Sequence, residues 1–293
     1  ETLLKAKKLP KSIIMIGGGY ISMEYAAFFS SLDIKVTILE RLPEVLGMLD
    51  DDIRQVLLDS HEKKNIKIVT NANIIEVKKG VSIKFNDVRD EKSKIKTVKA
   101  EAIFLATGRV PNTKFMDLEK TDIKQGRHGD ILINDMLETS CDGVYAIGDC
   151  NGKPMFAHSA KRQVKIVLEN MFDNKKSKMN FDLVPWATFS EPVVAGIGLS
   201  EKDAIKKKIS YYTMTASFRR NGRAKIIEKR EGFIKVLINK KNDKIIGSVI
   251  IGPNADDIIH QIVALIYAGA KVDVLKEMIH IHPTLSEFME NLK

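Results

Sequence analysis

The sequence predicts an α/β protein with a parallel, doubly wound sheet in its first part and an α+β arrangement in its last third. Residues 12–69 alternate short apolar runs with helical periodicity, and three glycines follow the first run. Apolar runs ending at a glycine return at 102–106 and 144–147. Beyond a lysine-rich connector at 173–180, strand-like runs come first and helical periodicity follows. Strands alternating with helices imply a parallel sheet, and strands followed by helices imply segregated layers.

The elements follow in order. Residues 12–16 read as a buried strand and 20–32 as a helix. Residues 34–39 form a second strand, closed by Glu40. Residues 50–64 form a helix with three acids at its start, where the helix dipole favours them, and 66–69 a third strand. Between 74 and 98, short alternating segments such as 81–85 predict antiparallel strands. Residues 102–106 return to a buried strand, and Pro111 forbids a helix after it. Residues 113–135 are loop-rich. Residues 144–147 read as a buried strand ending in Gly148-Asp149, and 157–171 as a helix. Strands are then predicted at 193–199, 211–218, 225–229, 232–238 and 244–251, and helices at 255–268, 272–279 and 284–292.

At roughly 100–200 residues per domain, 293 residues make two domains or three smaller units. The 44% hydrophobic content suffices for a sizeable core. No run approaches the roughly 18 apolar residues of a membrane span, and no secretory leader is read. Lys and Arg number 47 against 38 Asp and Glu. The excess falls in short lysine clusters without interleaved aromatics or a docking motif, so no nucleic-acid partner is expected. Cys141 and Cys150 are too few for a disulfide scaffold and point to a reducing compartment, hence a cytoplasmic location.

Gly17-x-Gly19-x-x-Ser22 sits between a strand and a helix. Glycine is needed where a backbone turns tightly against a pyrophosphate, with helix N–H groups facing its charge. Ser22 replaces the third glycine and is small enough for close helix–strand packing. Glu40 ends the next strand, about 20 residues on, where a carboxylate can bind an adenine-ribose 2′-OH and repel a 2′-phosphate. This predicts NAD rather than NADP. The Gly148-Asp149 strand end places a carboxylate where open α/β sheets bind ligands. Near the end stands His282-Pro283-Thr284-Leu285-Ser286-Glu287. Pro283 can open a helix, so that His282 precedes it and Glu287 lies within it, and a carboxylate bound to an imidazole makes a candidate general base. His280 reads as packing or surface, and no metal is expected.

Together these motifs resemble the flavin-dependent pyridine nucleotide–disulfide oxidoreductases, over nearly the whole chain and in order. They are I-I-M-I-G-G-G-Y-I-S-M-E, V-T-I-L-E, I-F-L-A-T-G-R-V-P-N-T, V-Y-A-I-G-D, P-M-F-A-H, F-S-E-P-V-V-A-G-I-G-L-S-E, G-F-I-K-V-L, I-I-G-P-N-A and H-P-T-L-S-E. The resemblance implies a Rossmann-like NAD-binding domain at 1–112, the C-terminal part of an FAD-binding domain at 113–176, and an α+β interface (dimerisation) domain at 177–293. It implies that Gly17, Gly18, Gly19, Tyr20, Ile21, Glu24 and Glu40 hold NAD, that Ile74 flanks the adenine, and that Gly108 lines the nicotinamide side. Asp149 would bind the FAD ribitol, and Met155, Phe156, Ala157 and His158 would run along the flavin. In a homodimer, His282, oriented by Glu287, would serve the active site of the other subunit.

The implied activity is oxidation of a dihydrolipoyl group by NAD through FAD and a redox disulfide, with a lipoyl-bearing protein or a small disulfide as substrate. The compartment is cytoplasmic, or the mitochondrial matrix in a eukaryote. The family also carries an FAD-binding half with its own glycine fingerprint and a C-x-x-x-x-C pair, which this sequence lacks. Cys141 and Cys150 have the wrong spacing and read as small buried residues. The chain is therefore expected to be the C-terminal portion of a longer enzyme and inactive alone. A glutathione-reductase-like enzyme and a non-catalytic NAD-binding dimerisation module stand as alternatives.

Overall fold

The strand prediction for the front of the chain holds almost residue for residue. The structure, a computed structural model, describes residues 3–78, 81–90, 92–173 and 175–293. Parts of the predicted 74–98 segment (79, 80 and 91) and of the 173–180 connector (174) lie outside the described residues. Strand β1 (Ser12–Ile16) leads into helix α1 (Tyr20–Ser30), followed by β2 (Lys35–Leu39), α2 (Asp51–Lys63) and β3 (Lys67–Val69). Three antiparallel strands come next: β4 (Ala72–Lys78), β5 (Ser82–Asp87) and β6 (Lys96–Lys99). Strand β7 (Ala102–Leu105) then returns to the first sheet.

That sheet has the order β3-β2-β1-β7, all parallel, with Ile14 opposite Thr37 and Ile103. Successive side chains point to opposite faces of a strand, and both faces are covered. Ile14, Leu39 and Ile103 pack with Ile83 and Phe85 of the antiparallel meander. Phe104, pointing the other way, meets Tyr25 and Phe29 of α1 at ring-centroid distances of 4.8 and 6.5 Å. Two-sided burial explains why these strands read as continuous apolar runs.

The chain divides into two units, Arg109–Trp186 and the remainder (Glu1–Gly108 with Ala187–Lys293). In Arg109–Trp186 the helix α3 (Ala157–Phe172) was expected, and two short 3-10 helices (Lys114–Met116 and Leu118–Lys120) occupy the loop-rich stretch. The expected strand at 144–147 is not formed. Tyr145 makes a single bridge to Glu138, and Val144 and Ile147 are exposed. Gly143 and Gly148, both at positive φ, turn the backbone at either end of the run, and its one bridge among the described residues is that to Glu138. Asp149 therefore lies in a 3-10 turn, Gly148–Asn151, rather than at a sheet edge.

From residue 186 an antiparallel sheet of order β10-β11-β12-β9-β8 is built. Its strands are β8 (Trp186–Thr188), β9 (Val193–Gly198), β10 (Tyr211–Ser217), β11 (Phe233–Asn239) and β12 (Ile245–Gly252). Helices α4 (Glu201–Lys206), α5 (Gly222–Ile226), α6 (Ala255–Tyr267) and α7 (Val272–Glu277) accompany it. Ile258, Ile259 and Ile262 of α6 join Ile234, Val236, Ile250 and Phe288 in the core, and Phe218 stacks on Phe288 at 4.2 Å.

The strand expected at 225–229 is not formed: α5 ends within that stretch, at Ile226, and a turn follows. Asn221 starts that helix by accepting from the Ala224 amide at 2.8 Å, and the cap outweighs a short apolar run. The last predicted helix begins only at Ser286 (Ser286–Asn291, 3-10). Pro283 does not open it, because Thr284 and Leu285 are held as a turn by Asn221. Among the described residues, no helix is long and apolar enough to cross a membrane.

Candidate functional site

The glycine turn occupies the end of β1. Gly17 has φ +101°, and a Cβ there would lie 2.4 Å from the Ala106 carbonyl oxygen, so only glycine fits. A Cβ on Gly19 would meet nothing within 4 Å. Open space thus lies in front of α1, whose N-cap Gly19 has no side chain to satisfy the helix end. Such an end offers amides and partial positive charge to a phosphate. The turn is braced from both sides. Ser22, fully buried, donates its hydroxyl proton to the Gly17 carbonyl. The Leu46 amide donates to the Gly18 carbonyl at 3.0 Å.

Glu40, at the end of β2, accepts from the amides of Gly18 and, at 2.7 Å, Leu42. It thereby fixes its carboxylate beside the glycine turn. Tyr20 and Ile21 open α1. Glu24 points elsewhere: its carboxylate accepts from the Phe189 amide at 3.0 Å. Ile74, on the first strand of the meander, is partly buried against the cluster of Ile14 and Phe85. Gly108 has φ +113° and open space around its missing side chain. These residues fit a dinucleotide: a cradle one methyl group would fill, an uncapped helix end and a carboxylate where the ribose would lie.

In Arg109–Trp186, the Asp149 carboxylate is exposed and paired with Arg109 at 3.3 Å. Arg109 also donates to the Met155 carbonyl at 2.9 Å. Phe156 and His158 stack at 5.2 Å, and His158 Nε2 donates to the Pro185 carbonyl at 2.7 Å. Gln163 of α3 accepts from the Gly148 amide at 2.9 Å and from Asn151 Nδ2 at 2.8 Å. Its own amide donates to Ser159 at 3.0 Å. Gln163, Asn151 and Ser159 are all buried, so this network sets where Asp149 stands. Arg109, Asn151 and Gln163 were not singled out from sequence; a glutamine on a predicted apolar helix face was the available signal. An exposed carboxylate paired with Arg109 and the start of α3 are the polar groups this unit presents there.

His282 Nδ1 and Glu287 Oε2 are 2.9 Å apart. The His282 side chain is 79% exposed, that of Glu287 15%. A carboxylate accepts, so Nδ1 carries the hydrogen and Nε2 presents a lone pair to solvent. His280 is the opposite case: its side chain is buried, with Nδ1 3.3 Å from Glu290.

Cys141 and Cys150 are free and half-buried. Burial pushes the Cys150 thiol above its ordinary range, which makes it a poor nucleophile. The one acidic triad among the described residues with metal-ligand spacing, Asp50, Asp52 and Glu201, surrounds the Lys235 ammonium.

One unit thus carries both a parallel sheet with a glycine-turn cradle and an antiparallel sheet with a histidine–glutamate pair. Residues 1–164 match the family described as pyridine nucleotide-disulphide oxidoreductase, and residues 184–292 match its dimerisation domain. The chain belongs to that family.

Dihydrolipoyl dehydrogenase 2, mitochondrial, of Arabidopsis thaliana is 33% identical over 97% of this chain and 56% of its own length. Dihydrolipoyl dehydrogenase of Buchnera aphidicola (from Schizaphis graminum) is 36% identical over 97% and 60%. The chain thus spans less than two thirds of these relatives. Among solved structures, the Cu(II) complex of the HOCl-induced flavoprotein disulfide reductase RclA from Escherichia coli superposes with a TM-score of 0.90 at 24% identity. That match covers 99% of this chain and 66% of the other. LpdA from Mycobacterium tuberculosis gives 0.89 at 25%, covering 99% and 62%.

Proposed function

We propose that this chain supplies the NAD-binding and interface parts of a flavin-dependent disulfide oxidoreductase that oxidises dihydrolipoyl groups. The observation that carries the reading is the exposed His282 held at 2.9 Å by Glu287, in a chain that also contains a dinucleotide cradle. In this reading residues 1–112 serve NAD, 113–176 the FAD side and 177–293 the interface.

Gly17, Gly18 and Gly19 would hold NAD, with the amides of Tyr20 and Ile21 offered to its pyrophosphate. Glu40 takes the adenine ribose, Ile74 flanks the adenine, and Gly108 leaves room on the nicotinamide side. Glu24, tied to Phe189, supports α1 from its far side. Asp149 and the 155–158 backbone hold the flavin. Bound NAD supplies a hydride acceptor, and bound FAD an electron relay between a disulfide and that acceptor. His282 Nε2 accepts the proton of the attacking dithiol, and Glu287 stabilises the imidazolium that results.

The dimerisation-domain match and the exposure of Ile279 (97%) and Ile281 (80%) on either side of His280 support a homodimer in which His282 serves its partner's site. Two free cysteines support a reducing compartment such as cytoplasm or a mitochondrial matrix.

Calorimetric titration with NADH and NADPH tests the cradle: NADH binds at least about tenfold tighter, a difference of about 1.4 kcal/mol. Equal affinities, or no binding, remove it. Dihydrolipoamide-dependent NAD reduction by the protein isolated from its source cells tests the chemistry. Absence of turnover in FAD-loaded protein that binds NADH would leave only a binding module.

A further inference from the structure

The His282–Glu287 pair sits on a segment with little regular structure, and one buried side chain ties that segment to the rest of the fold. Asn221 is 2% exposed. Its Nδ2 donates to the carbonyls of Thr284 at 2.9 Å and Leu285 at 3.2 Å, and its Oδ1 accepts from the Ala224 amide at 2.8 Å. One amide group therefore caps α5 and grips the two residues midway between His282 and Glu287. The next residue, Gly222, packs directly under the pair. A Cβ there would lie 3.6 Å from Glu287 Oε1 and 3.8 Å from His282 Cε1. Below them, Gln261 of α6 donates to Ser286 Oγ at 2.8 Å.

We propose that Asn221 is the positioning residue of the His282–Glu287 pair: its two donated hydrogen bonds hold the 284–285 turn so that the carboxylate reaches Nδ1 and leaves Nε2 facing outward. The inference rests on the reading of that pair as a base. No other side chain that bonds the segment reaches two consecutive carbonyls of it among the described residues. The donor and acceptor ends of the amide have separable duties. An aspartate in its place keeps the acceptor for Ala224 but has no hydrogens for Thr284 and Leu285, and its charge repels both carbonyls. A serine also caps α5 and is too short to span to the turn.

The test is the tautomer of His282, read from ring 15N chemical shifts of 15N-histidine-labelled chain at a pH where the imidazole is neutral. Assignment comes from the spectrum of His282→Gln. In the parent chain the Nδ1–H form dominates. In Asn221→Asp and Asn221→Ser it falls from the major form to the minor one, as it does in Glu287→Ala, while circular dichroism stays that of the folded chain. A parental tautomer in folded Asn221→Asp and Asn221→Ser, with Glu287→Ala shifted, overturns the role of Asn221 and leaves the pair standing. A parental tautomer in Glu287→Ala, which has no acceptor for Nδ1, shows that the pair itself does not set the ring, and removes the functional reading along with the inference.

Discussion

Lys235 Nζ lies 2.6 Å from Asp52 Oδ1, across 183 residues of sequence. The same ammonium, 2% exposed, reaches Glu201 at 2.6 Å and Asp50 at 3.1 Å. Asp50 occupies the N-cap position of α2, yet its carboxylate caps nothing there. It turns instead to the amides that begin α4, Glu201 at 3.3 Å and Lys202 at 3.5 Å. One buried cation thus joins the start of α2, the start of α4 and the middle of β11.

Lys235→Met should cost about 3 kcal/mol in urea unfolding, because Asp50 is left buried without its counter-charge. Asp52→Asn should cost about 1 kcal/mol or less, since that carboxylate is half exposed. Burial pulls the ammonium's pKa down, but hydrogen bonds to Asp52 and Glu201 and the charge of Asp50 outweigh it. The net value lies above the ordinary lysine range. Stabilisation from a raised pKa is complete below the unfolded value and is lost only as pH rises through the folded one. The difference between parent and Lys235→Met should therefore be the same at about pH 7 and about pH 9.

His61 predicts the opposite kind of dependence. It is fully buried, its Nδ1 donates to the Leu57 carbonyl at 2.8 Å, and burial pushes its pKa below the ordinary 6.5. A depressed pKa gives stability that is present above the unfolded value and is lost as pH falls. Urea midpoints should drop more steeply between about pH 7 and about pH 5 in the parent than in His61→Gln. Parallel curves would show that His61 does not titrate on unfolding.

The glycine turn separates folding from binding. Gly17→Ala should lose about 3 kcal/mol of stability from its positive φ and its clash with the Ala106 carbonyl. Gly19, at φ −80° with open space beyond, should accept alanine without change in melting temperature. Its added methyl group should nonetheless weaken NADH binding by about tenfold or more in calorimetry, about 1.4 kcal/mol.

Gln163→Leu should leave the Gly148 amide and Asn151 Nδ2 without acceptors in a dry site, a loss of about 2 kcal/mol or more. Faster hydrogen exchange at the Gly148 amide should report it directly. Gln163→Glu keeps the acceptor oxygen and should retain that protection.

What the sequence made legible follows from burial and from local chemistry. The parallel strands are covered on both faces, so Ile13, Ile14 and Met15 announce themselves. Gly17, Glu40, His282 and Glu287 stand within short motifs whose spacing carries meaning. The failures are of another kind. Residues 225–229 look like a strand until Asn221 caps a helix that takes in Lys225 and Ile226. Residues 144–147 are as apolar as a strand but have only one bridge partner. Lys235 alternates with apolar neighbours and reads as a solvent-facing lysine. Its three acids lie 34 and more residues away, and no local pattern joins them. Asn221 was passed over because its partners, Thr284 and Leu285, are backbone carbonyls 63 and 64 residues distant.

The route from β3 to β7 has a practical consequence. Those strands stand at opposite edges of the parallel sheet, and parallel neighbours are usually joined by a helical crossover. Here three antiparallel strands make the journey. The meander is fastened to the sheet by Ile83 and Phe85 of β5 and by Val98 of β6, so the turn at 88–90 that follows β5 sets no register in the sheet. A reporter domain spliced into that turn would ride on the molecule as a passenger, leaving β7 beside β1 and the glycine turn undisturbed.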